Sequence, residues 1–370
     1  MNEIIYIYPL KAIALLSAAL VVYLLFGRSR RARGAQGATL TRAAENPILE
    51  PNPEFSWEDS AVFNPAAFYD GEHVYLLYRA LGGDGISRIG CAQSKDGIHF
   101  TRFRNPVFVM NTPPSPKFRN PFADIGRYDR DAYASGGGWG GSEDPRAVLI
   151  DGVLHMNFGV FDSWKSIRVA LTSITLPDFR ARIWNWAPHL FISPEKETHK
   201  NWVLFPEKIR GKFAILHALT PKVMIDYADS LEEWENQPIR SNNHRGGRDG
   251  HWDEFVRGAA APPLKTKYGW LQLYHAMNPR ENHGYKVGVM ILDLKDPTKI
   301  LYRSSKPVLE PQEWYENDWK PGVVYASGAV IKDGTLFVYY GGGDKRISLA
   351  TAPLEPFLHA LMHDNEARLI

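Results

Sequence analysis

A short pattern that recurs five times limits the folds open to this chain. Each copy is an apolar strand, a tight turn carrying glycine, and a second strand rich in aromatic residues, and the first copy covers residues 66–79. The copies are centred on Gly71, Gly152, Gly211, Gly269 and Gly334. Few stretches show the three- and four-residue spacing of apolar positions that helices need. The pattern therefore predicts an all-β fold.

The spacing of the copies indicates how the strands are arranged. Copies about 60 residues apart are typical of small antiparallel sheets repeated around an axis, as in a propeller. We predict a five-bladed β-propeller over residues 46–370, with a pair of β-sandwiches as the alternative because the repeat is approximate. In a propeller, the residues just before each first strand converge on a central channel. Those residues are Asn64, Asp144, Glu207 with Lys208, 261–263, and Ser327 with Gly328.

The N-terminal region has a different composition. Residues 12–26 are apolar apart from one serine, and extension toward residue 4 brings the run close to the roughly 20 residues that a membrane helix needs. Four arginines follow within residues 28–33, whereas one lysine precedes the apolar core. This asymmetry predicts a single transmembrane anchor over residues 1–33, a linker over 34–45, and a cytoplasmic location for everything after the helix. A buried helix of a soluble domain is the alternative.

Charge, cysteine content and residue spacing limit the partners and cofactors that the chain is expected to bind. The formal net charge is +2, and the basic residues beyond the N-terminal cluster are scattered, so we predict no binding to nucleic acid. Cys91 is the only cysteine, so the chain forms no internal disulfide. No His, Cys and Asp spacing typical of a metal site is visible. We therefore predict neither a metal nor an organic cofactor.

A run of glycines at residues 136–141 is followed, after one serine, by Glu143, Asp144, Pro145 and Arg146. Glycine lets the backbone approach a ligand closely, while Pro145 favours an extended conformation at Asp144. We interpret the run as the catalytic centre. A surface turn in which Arg146 pairs with Glu143 is the alternative. The Lys-Ser or Lys-Thr of a nucleotide-binding loop does not follow the glycines.

Further segments accompany this motif in a characteristic order. They are Phe205-Pro206-Glu207-Lys208-Ile209, residues 258–263, 339–344 and 349–354. Together with the motif at Asp144, they resemble glycoside hydrolase family 130 over roughly residues 46–358. The resemblance implies a five-bladed propeller that cleaves β-mannosides with inversion. Most members do so by phosphorolysis to α-mannose 1-phosphate, and some hydrolyse instead.

The resemblance also implies roles for single residues. Asp144 corresponds to the general acid, and such an acid needs burial or a neighbouring carboxylate to keep its proton at neutral pH. The residues implied in sugar binding are Asn64, Arg79, Arg88, Glu143 and Asp344. The residues implied in phosphate binding are Lys265, Lys200, His217 and His275.

The phosphate site departs from the family pattern. Family phosphorylases carry an arginine after the histidine that corresponds to His217, whereas this chain has Ala218. Lys200 stands where a second arginine is usual. Losing one charge-assisted pair costs roughly 2 to 3 kcal/mol of phosphate affinity. Phosphorolysis, with inorganic phosphate as co-substrate, nevertheless remains the favoured prediction.

Two alternatives stay open. A hydrolase would need a carboxylate base about 6.5 to 9.5 Å from the acid. The candidates for that base are Glu207, Asp253 and Glu254. A non-catalytic glycan-binding propeller would need aromatic platforms but no acid.

Other properties depend on loops and partner subunits. Residues 110–133 form an insertion rich in prolines and charges, which could cover the pocket mouth and select the acceptor sugar. A β-mannoside oligosaccharide is the predicted substrate. The glycosidic linkage, the acceptor sugar and any oligomerisation are left open.

Overall fold

The structure is a computed structural model that describes residues 38–110, 140–163, 166–241, 246–281, 284–364 and 366–368. These residues belong to one unit, Ala38–Ile370. Most of them lie in short antiparallel strands that are joined by hairpins. Apart from residues 41–42, which pair with the last strand, the chain completes one sheet before it starts the next, as expected when strands next to each other in sequence pair with each other.

Five sheets form the blades of the propeller. The first blade has β2 (Ala61–Tyr69), β3 (Val74–Leu81), β4 (Ile86–Ser94) and β5 (Thr101–Arg102). The second has β6 (Gly140–Ile150), β7 (Val153–Ser163), β8 (Ser166–Thr175) and β9 (Leu190–Phe191). The third has β10 (Val203–Leu204), β11 (Phe213–Ala218) and β12 (Met224–Ala228). A short parallel pairing between β4 and β6 joins the first two blades.

The last two blades follow the same plan. The fourth has β13 (Phe255–Ala259), β14 (Leu264–Thr266), β15 (Gly269–Met277), β16 (Lys286–Leu292) and β17 (Ile300–Arg303). The fifth has β18 (Val324–Lys332), β19 (Thr335–Gly342) and β20 (Arg346–Pro353), with the early strand β1 (Thr41–Arg42) on its outer edge. The helices are α1 (Leu176–Ala181), α2 (Glu232–Asn236) and α3 (Leu354–Met362), with a 3-10 turn at Trp314–Glu316.

Turn chemistry explains why the hairpins recur. Two-residue loops connect strands in the second and fifth blades, a two-residue turn between the bridged Ile209 and Lys212 precedes β11 in the third, and both residues of each have positive φ. The loops are Asp151-Gly152 at 50° and 79°, Arg210-Gly211 at 54° and 81°, and Asp333-Gly334 at 50° and 74°. Two positive φ angles in succession are typical of the type I′ turn, whose twist matches that of antiparallel strands. The turns therefore set the strand register, and the register decides which residues face the core.

The core lies between the blades. Within the described part of the chain, five clusters of buried apolar side chains each join two neighbouring sheets. Representative pairs are Leu77 with Met156, Val148 with Ile215, Leu216 with Met290, Leu273 with Val338, and Leu76 with Tyr339. Each blade is thus stabilised mainly by burial against its two neighbours, as in other repeat architectures.

The fifth blade is closed by residues from the start of the described chain. Thr41 pairs with Thr351 and Arg42 with Ala350. The Arg42 guanidinium donates to both carboxylate oxygens of Glu316 at 2.8 and 2.9 Å, and the Glu316 side chain is fully buried. The propeller therefore includes residues that precede Asn46.

This closure can be tested by replacing Arg42. We expect Arg42→Met to lower the free energy of unfolding by about 3 kcal/mol, because it leaves the buried Glu316 carboxylate without its counter-ion. Lys267→Met, which removes an exposed pair with Glu355, serves as the control and should cost at most about 1 kcal/mol. Urea unfolding of both variants measures the difference. Equal losses would show that the buried pair does not hold the closing strand.

The predicted transmembrane helix is wrong for the structure as described. None of its helices is long and apolar enough to span a bilayer. The longest, α3, has nine residues, whereas a crossing needs about 20. The apolar run at residues 12–26 itself lies outside the described residues. We therefore withdraw the anchor, together with the cytoplasmic location that was inferred from it.

Candidate active site

The first strands of four blades share an irregularity in their pairing. The register shifts between Phe63 and Ala66, Glu143 and Arg146, Val256 and Gly258, and Ala326 and Gly328. A bulge leaves the extra residues unpaired and redirects their side chains. The residues in the bulges are Asn64-Pro65, Asp144-Pro145, Arg257 and Ser327.

The backbone at these places is unusual. Asn64 and Asp144 both have φ of 47°, and Asn201, just before β10 in the third blade, has φ of 64°. Positive φ is uncommon outside glycine, but asparagine and aspartate tolerate it best. The expectation that Pro145 keeps Asp144 extended is therefore wrong. The bulge, with its change in pairing, sets the direction of the acid instead.

Asp144 lies in a group of charged side chains from three blades. Asn64 Nδ2 donates to Asp144 Oδ1 at 2.9 Å, and Arg79 Nη1 is 3.4 Å from the same oxygen. Arg79 Nη2 and Lys200 Nζ each lie 3.3 Å from a Glu143 carboxylate oxygen. The Asp144 side chain keeps 14% of its surface exposed, whereas Glu143 and Arg79 keep 1% each. Asp144 is therefore the carboxylate that a substrate can reach, and Glu143 holds the two cations in place.

Arg146 does not pair with Glu143 as the surface-turn alternative required. Its Nη1 donates to the Asp144 carbonyl oxygen at 2.8 Å, and its Nε donates to the Ala260 carbonyl oxygen at 2.6 Å. Its Nη2 lies 3.2 Å from the hydroxyl of Tyr325, which also donates to Asn201 Oδ1. Arg146 thus ties the acid's backbone to three other blades.

The glycines before Asp344 let the fifth blade approach the first. A Cβ on Gly341 would lie 2.3 Å from Asn64 Oδ1 and 2.9 Å from the Asn64 nitrogen. Such contacts are too short for any side chain at position 341. The glycine-rich segment of the sequence motif therefore has a steric reason, since it makes room for a residue that hydrogen-bonds the acid.

The charges around Asp144 decide whether its carboxyl group is protonated. Burial raises the pKa of the Asp144 carboxyl, but the positive charges of Arg79, Lys200 and Arg146 and the hydrogen bond from Asn64 outweigh it. The pKa is therefore lowered below its ordinary value. At neutral pH, the Asp144 side chain is a carboxylate until a ligand changes this balance.

Two histidines predicted to bind phosphate are buried and uncharged at neutral pH. His275 stacks on Tyr325 with ring centroids 4.0 Å apart, and burial lowers the pKa of His275 well below its usual range. His217 lies edge-on to Trp202, and burial lowers the pKa of His217 to about 4. Either ring can donate one N–H, but neither supplies a positive charge.

Other predicted site residues have partners of their own. Arg88 pairs with Asp84 at 2.6 Å, and Asp344 pairs with Lys320 at 2.8 Å. Lys265, predicted to bind phosphate, instead lies 2.6 and 2.8 Å from the two carboxylate oxygens of Glu207. About half of the Lys265 side chain and half of the Glu207 side chain are exposed.

The other two candidate bases, Asp253 and Glu254, differ in their surroundings. Asp253 is fully buried and accepts hydrogen bonds from Arg248 Nε at 2.9 Å and the Tyr274 hydroxyl at 2.7 Å, and Arg303 Nη2 lies 2.7 Å from its Oδ2 as an ion pair. Glu254 Oε1 lies 3.6 Å from Arg280, whereas its Oε2 is buried and has no hydrogen-bond partner among the described residues. Because two guanidinium groups hold Asp253, it is a structural anion of the fourth blade and poorly suited to accept a proton from water.

The sequence placed the channel residues of two blades incorrectly. In the third blade, Asn201 has positive φ and contacts Arg146, whereas the predicted Glu207, six residues later, pairs with Lys265. In the fourth blade, the bulge lies at Arg257, before the predicted segment 261–263. Nothing in the sequence around Asn201 or Tyr325 indicated that either residue belongs to the site, apart from its position before or within a strand. Of the insertion predicted over residues 110–133, only Met110 lies within the described residues.

Comparison with known proteins places the chain in a family. The sequence profile of glycoside hydrolase family 130, described as beta-1,4-mannooligosaccharide phosphorylase, matches residues 133–363. A 1,2-beta-oligomannan phosphorylase from Thermoanaerobacter sp. strain X514 is 36% identical over 323 residues, which are 84% of this chain and 96% of the relative. A beta-1,2-mannobiose phosphorylase from the same strain is 34% identical and covers 85% of this chain and 98% of the relative.

A solved structure agrees with this result. The β-1,2-mannobiose phosphorylase from Listeria innocua, in complex with β-1,2-mannobiose, superimposes with a TM-score of 0.64. The sequences are 25% identical, and the alignment covers 87% of this chain and 99% of the Listeria chain. The family resemblance predicted from the motifs is thus confirmed. The chain belongs to glycoside hydrolase family 130.

Proposed function

We propose that this chain is an inverting β-mannoside phosphorylase. It transfers a mannosyl group from a β-1,2-linked mannoside to inorganic phosphate and releases α-mannose 1-phosphate. The observation that carries the proposal is Asp144, a partly exposed carboxylate surrounded by Arg79, Arg146 and Lys200. The relatives named above, two of which are at least 34% identical, are phosphorylases of β-1,2-mannosides. We assign the reaction to the propeller, which begins before Asn46.

The charge balance at Asp144 suits a reaction that needs an anion. A phosphate dianion that enters the site offsets the positive charges that keep Asp144 ionised, and this raises the pKa of the acid. Phosphate binding and protonation of Asp144 therefore support each other. Asp144 therefore carries the proton that general acid catalysis needs when phosphate is bound.

The bond changes follow from inversion. A phosphate oxygen attacks the anomeric carbon from the face opposite the leaving oxygen, and the new C–O bond forms as the glycosidic C–O bond breaks. The Asp144 proton passes to the leaving oxygen, so the acceptor sugar departs as an alcohol. The carboxylate that remains takes up a proton from solvent before the next turnover. No carboxylate base is needed, because phosphate is the nucleophile.

The pairing of two of the three candidate bases, Glu207 and Asp253, favours phosphorolysis over hydrolysis. Glu207 is paired with Lys265 near the surface, and Asp253 is held by Arg248 and Arg303. Neither has a free carboxylate that could activate water against a bound mannoside. The glycan-binding alternative is disfavoured because it gives no reason to place an acid among three cations.

A product assay tests the proposal. The protein is incubated with β-1,2-mannobiose at increasing phosphate concentration, and products are followed by proton and phosphorus NMR. We expect cleavage that depends on phosphate, with one α-mannose 1-phosphate formed for each mannose released. Mannose released at the same rate in phosphate-free buffer, with no sugar phosphate at any phosphate level, would establish a hydrolase.

The linkage is tested separately with β-1,4-mannobiose as the matched substrate. The family profile is described by a 1,4-linked substrate, whereas the relatives at 36% and 34% identity are named for 1,2-linked substrates. We expect a higher kcat/KM for the 1,2-linked disaccharide. Faster phosphorolysis of the 1,4-linked disaccharide would overturn the linkage and leave the reaction type standing.

A further inference from the structure

The fourth blade carries an arginine at the position where the second blade carries its acid. Arg257 occupies the bulge of β13, as Asp144 occupies the bulge of β6. The Arg257 carbonyl oxygen accepts a hydrogen bond of 2.9 Å from Asn201 Nδ2. The Oδ1 atom of Asn201 lies 3.4 Å from Arg146 Nη2 and accepts from the Tyr325 hydroxyl. The backbone of Arg257 is therefore fixed to the residues that surround Asp144.

The side chain of Arg257 lies along an aromatic row that leads into the site. Its guanidinium carbon is 5.4 Å from the centre of the Tyr285 ring and 5.6 Å from that of Phe255. The Tyr285 ring lies 6.3 Å from Tyr325, which stacks on His275. After burial and the charge of Arg146, the charge of Arg257 also lowers the pKa of His275. The guanidinium is thus close enough to act electrostatically on the site.

In the part of the propeller that the structure describes, Arg257 lacks the carboxylate counter-ion that three other arginines have. Arg79, Arg248 and Arg303 each lie within 3.4 Å of a buried carboxylate. Among the described residues, no carboxylate lies within ion-pair distance of Arg257, although its side chain is partly buried. A partly buried charge without a partner is costly, and an anionic ligand removes that cost.

We propose that Arg257 binds the attacking phosphate and supplies the guanidinium that Ala218 leaves out. This inference rests on the proposed phosphorolysis. Of the cations expected at the phosphate site, Lys265 is taken by Glu207. In a ring of five blades, the fourth lies across the axis from the second. An anion held by Arg257 would therefore approach from across the channel, the direction that inversion requires.

Kinetics of Arg257→Met test the proposal. We expect the KM for phosphate to rise about 10- to 100-fold, because a charge-assisted bidentate contact is lost. The KM for β-1,2-mannobiose should stay within about threefold, since Arg257 is assigned to the anion alone. In the direction of synthesis, the KM for α-mannose 1-phosphate should rise in parallel. An unchanged KM for phosphate, or an equal rise for both substrates, would overturn the assignment.

Two further variants complete the experiment. Arg168→Met removes an arginine that packs 3.9 Å from the Phe191 ring centre on an outer strand, and it should leave the KM for phosphate unchanged. Arg257→Lys keeps the charge but loses the planar fork, so we expect a smaller rise than for methionine. If the methionine variant does not fold, an unchanged phosphate KM in the lysine variant overturns the proposal. Wild-type cleavage without phosphate would instead refute phosphorolysis itself.

Discussion

Asp144→Asn is expected to lower turnover of β-1,2-mannobiose at least about 100-fold while the protein keeps its fold. Asparagine has the shape of aspartate and tolerates the φ of 47° at this position, but it cannot deliver a proton to the leaving oxygen. Initial rates at saturating phosphate measure the loss, and thermal unfolding checks the fold. With a nitrophenyl mannoside the loss should be smaller, because that leaving group needs little protonation.

Asp333→Asn is the matched control for this experiment. Asp333 has φ of 50° in the β18–β19 turn, so the control makes the same chemical change in the same backbone region outside the site. We expect it to keep the wild-type rate. A near-normal rate for Asp144→Asn on the unactivated disaccharide would show that another group is the acid.

Removing Arg79 should have the largest effect on stability. Its guanidinium contacts both Glu143 and Asp144, and the side chain is almost fully buried. Arg79→Met leaves Glu143 buried with one of its cations missing, which we expect to lower the free energy of unfolding by about 3 to 5 kcal/mol. Activity should fall as well, because Asp144 loses a contact that orients it. Urea unfolding at neutral pH and phosphorolysis rates measure the two effects.

A second change separates charge from packing. In Arg79→Met combined with Glu143→Gln, the unpaired anion is gone, so a large part of the lost stability should return while activity stays low. Lys212→Met, which breaks an exposed pair with Asp229, is the control and should change stability by less than about 1 kcal/mol. Destabilisation of the double variant beyond the single one would show that packing of Arg79, and not its charge, stabilises the site.

Local turn chemistry made the blades visible in the sequence. Turns such as Asp151-Gly152 and Asp333-Gly334 specify a hairpin through their own residues, so the number of blades could be predicted. The phase of the third blade could not, because its first strand, Val203–Leu204, is only two residues long and leaves no alternation to detect. The strand at Thr41–Arg42 was missed for the same reason, and it pairs with a segment some 300 residues later.

The candidate site was predictable where its residues are contiguous. Asp144 stands out by its glycine-rich and proline-bearing neighbourhood, and the structure adds Asn64 and Arg79 as its partners. Asn201 and Tyr325 form a hydrogen bond although they are 124 residues apart in the sequence, and the residues around them do not predict this contact. The pairing of Lys265 with Glu207 could not be predicted either, because a single sequence does not show which lysine or arginine pairs with a given carboxylate.

The shared backbone conformation of Asn64, Asp144 and Asn201 restricts how this site can diversify. At φ between 47° and 64°, asparagine, aspartate and glycine fit with little strain, whereas β-branched and bulky residues do not. Amide and carboxylate can therefore replace one another in three blades without a change in backbone path. A mutant library at these three positions therefore needs only asparagine, aspartate and glycine. A wider choice of residue types can be tested at neighbouring positions whose φ is negative. Carboxylate side chains can thus be introduced into the channel or removed from it without a change in the backbone of the propeller.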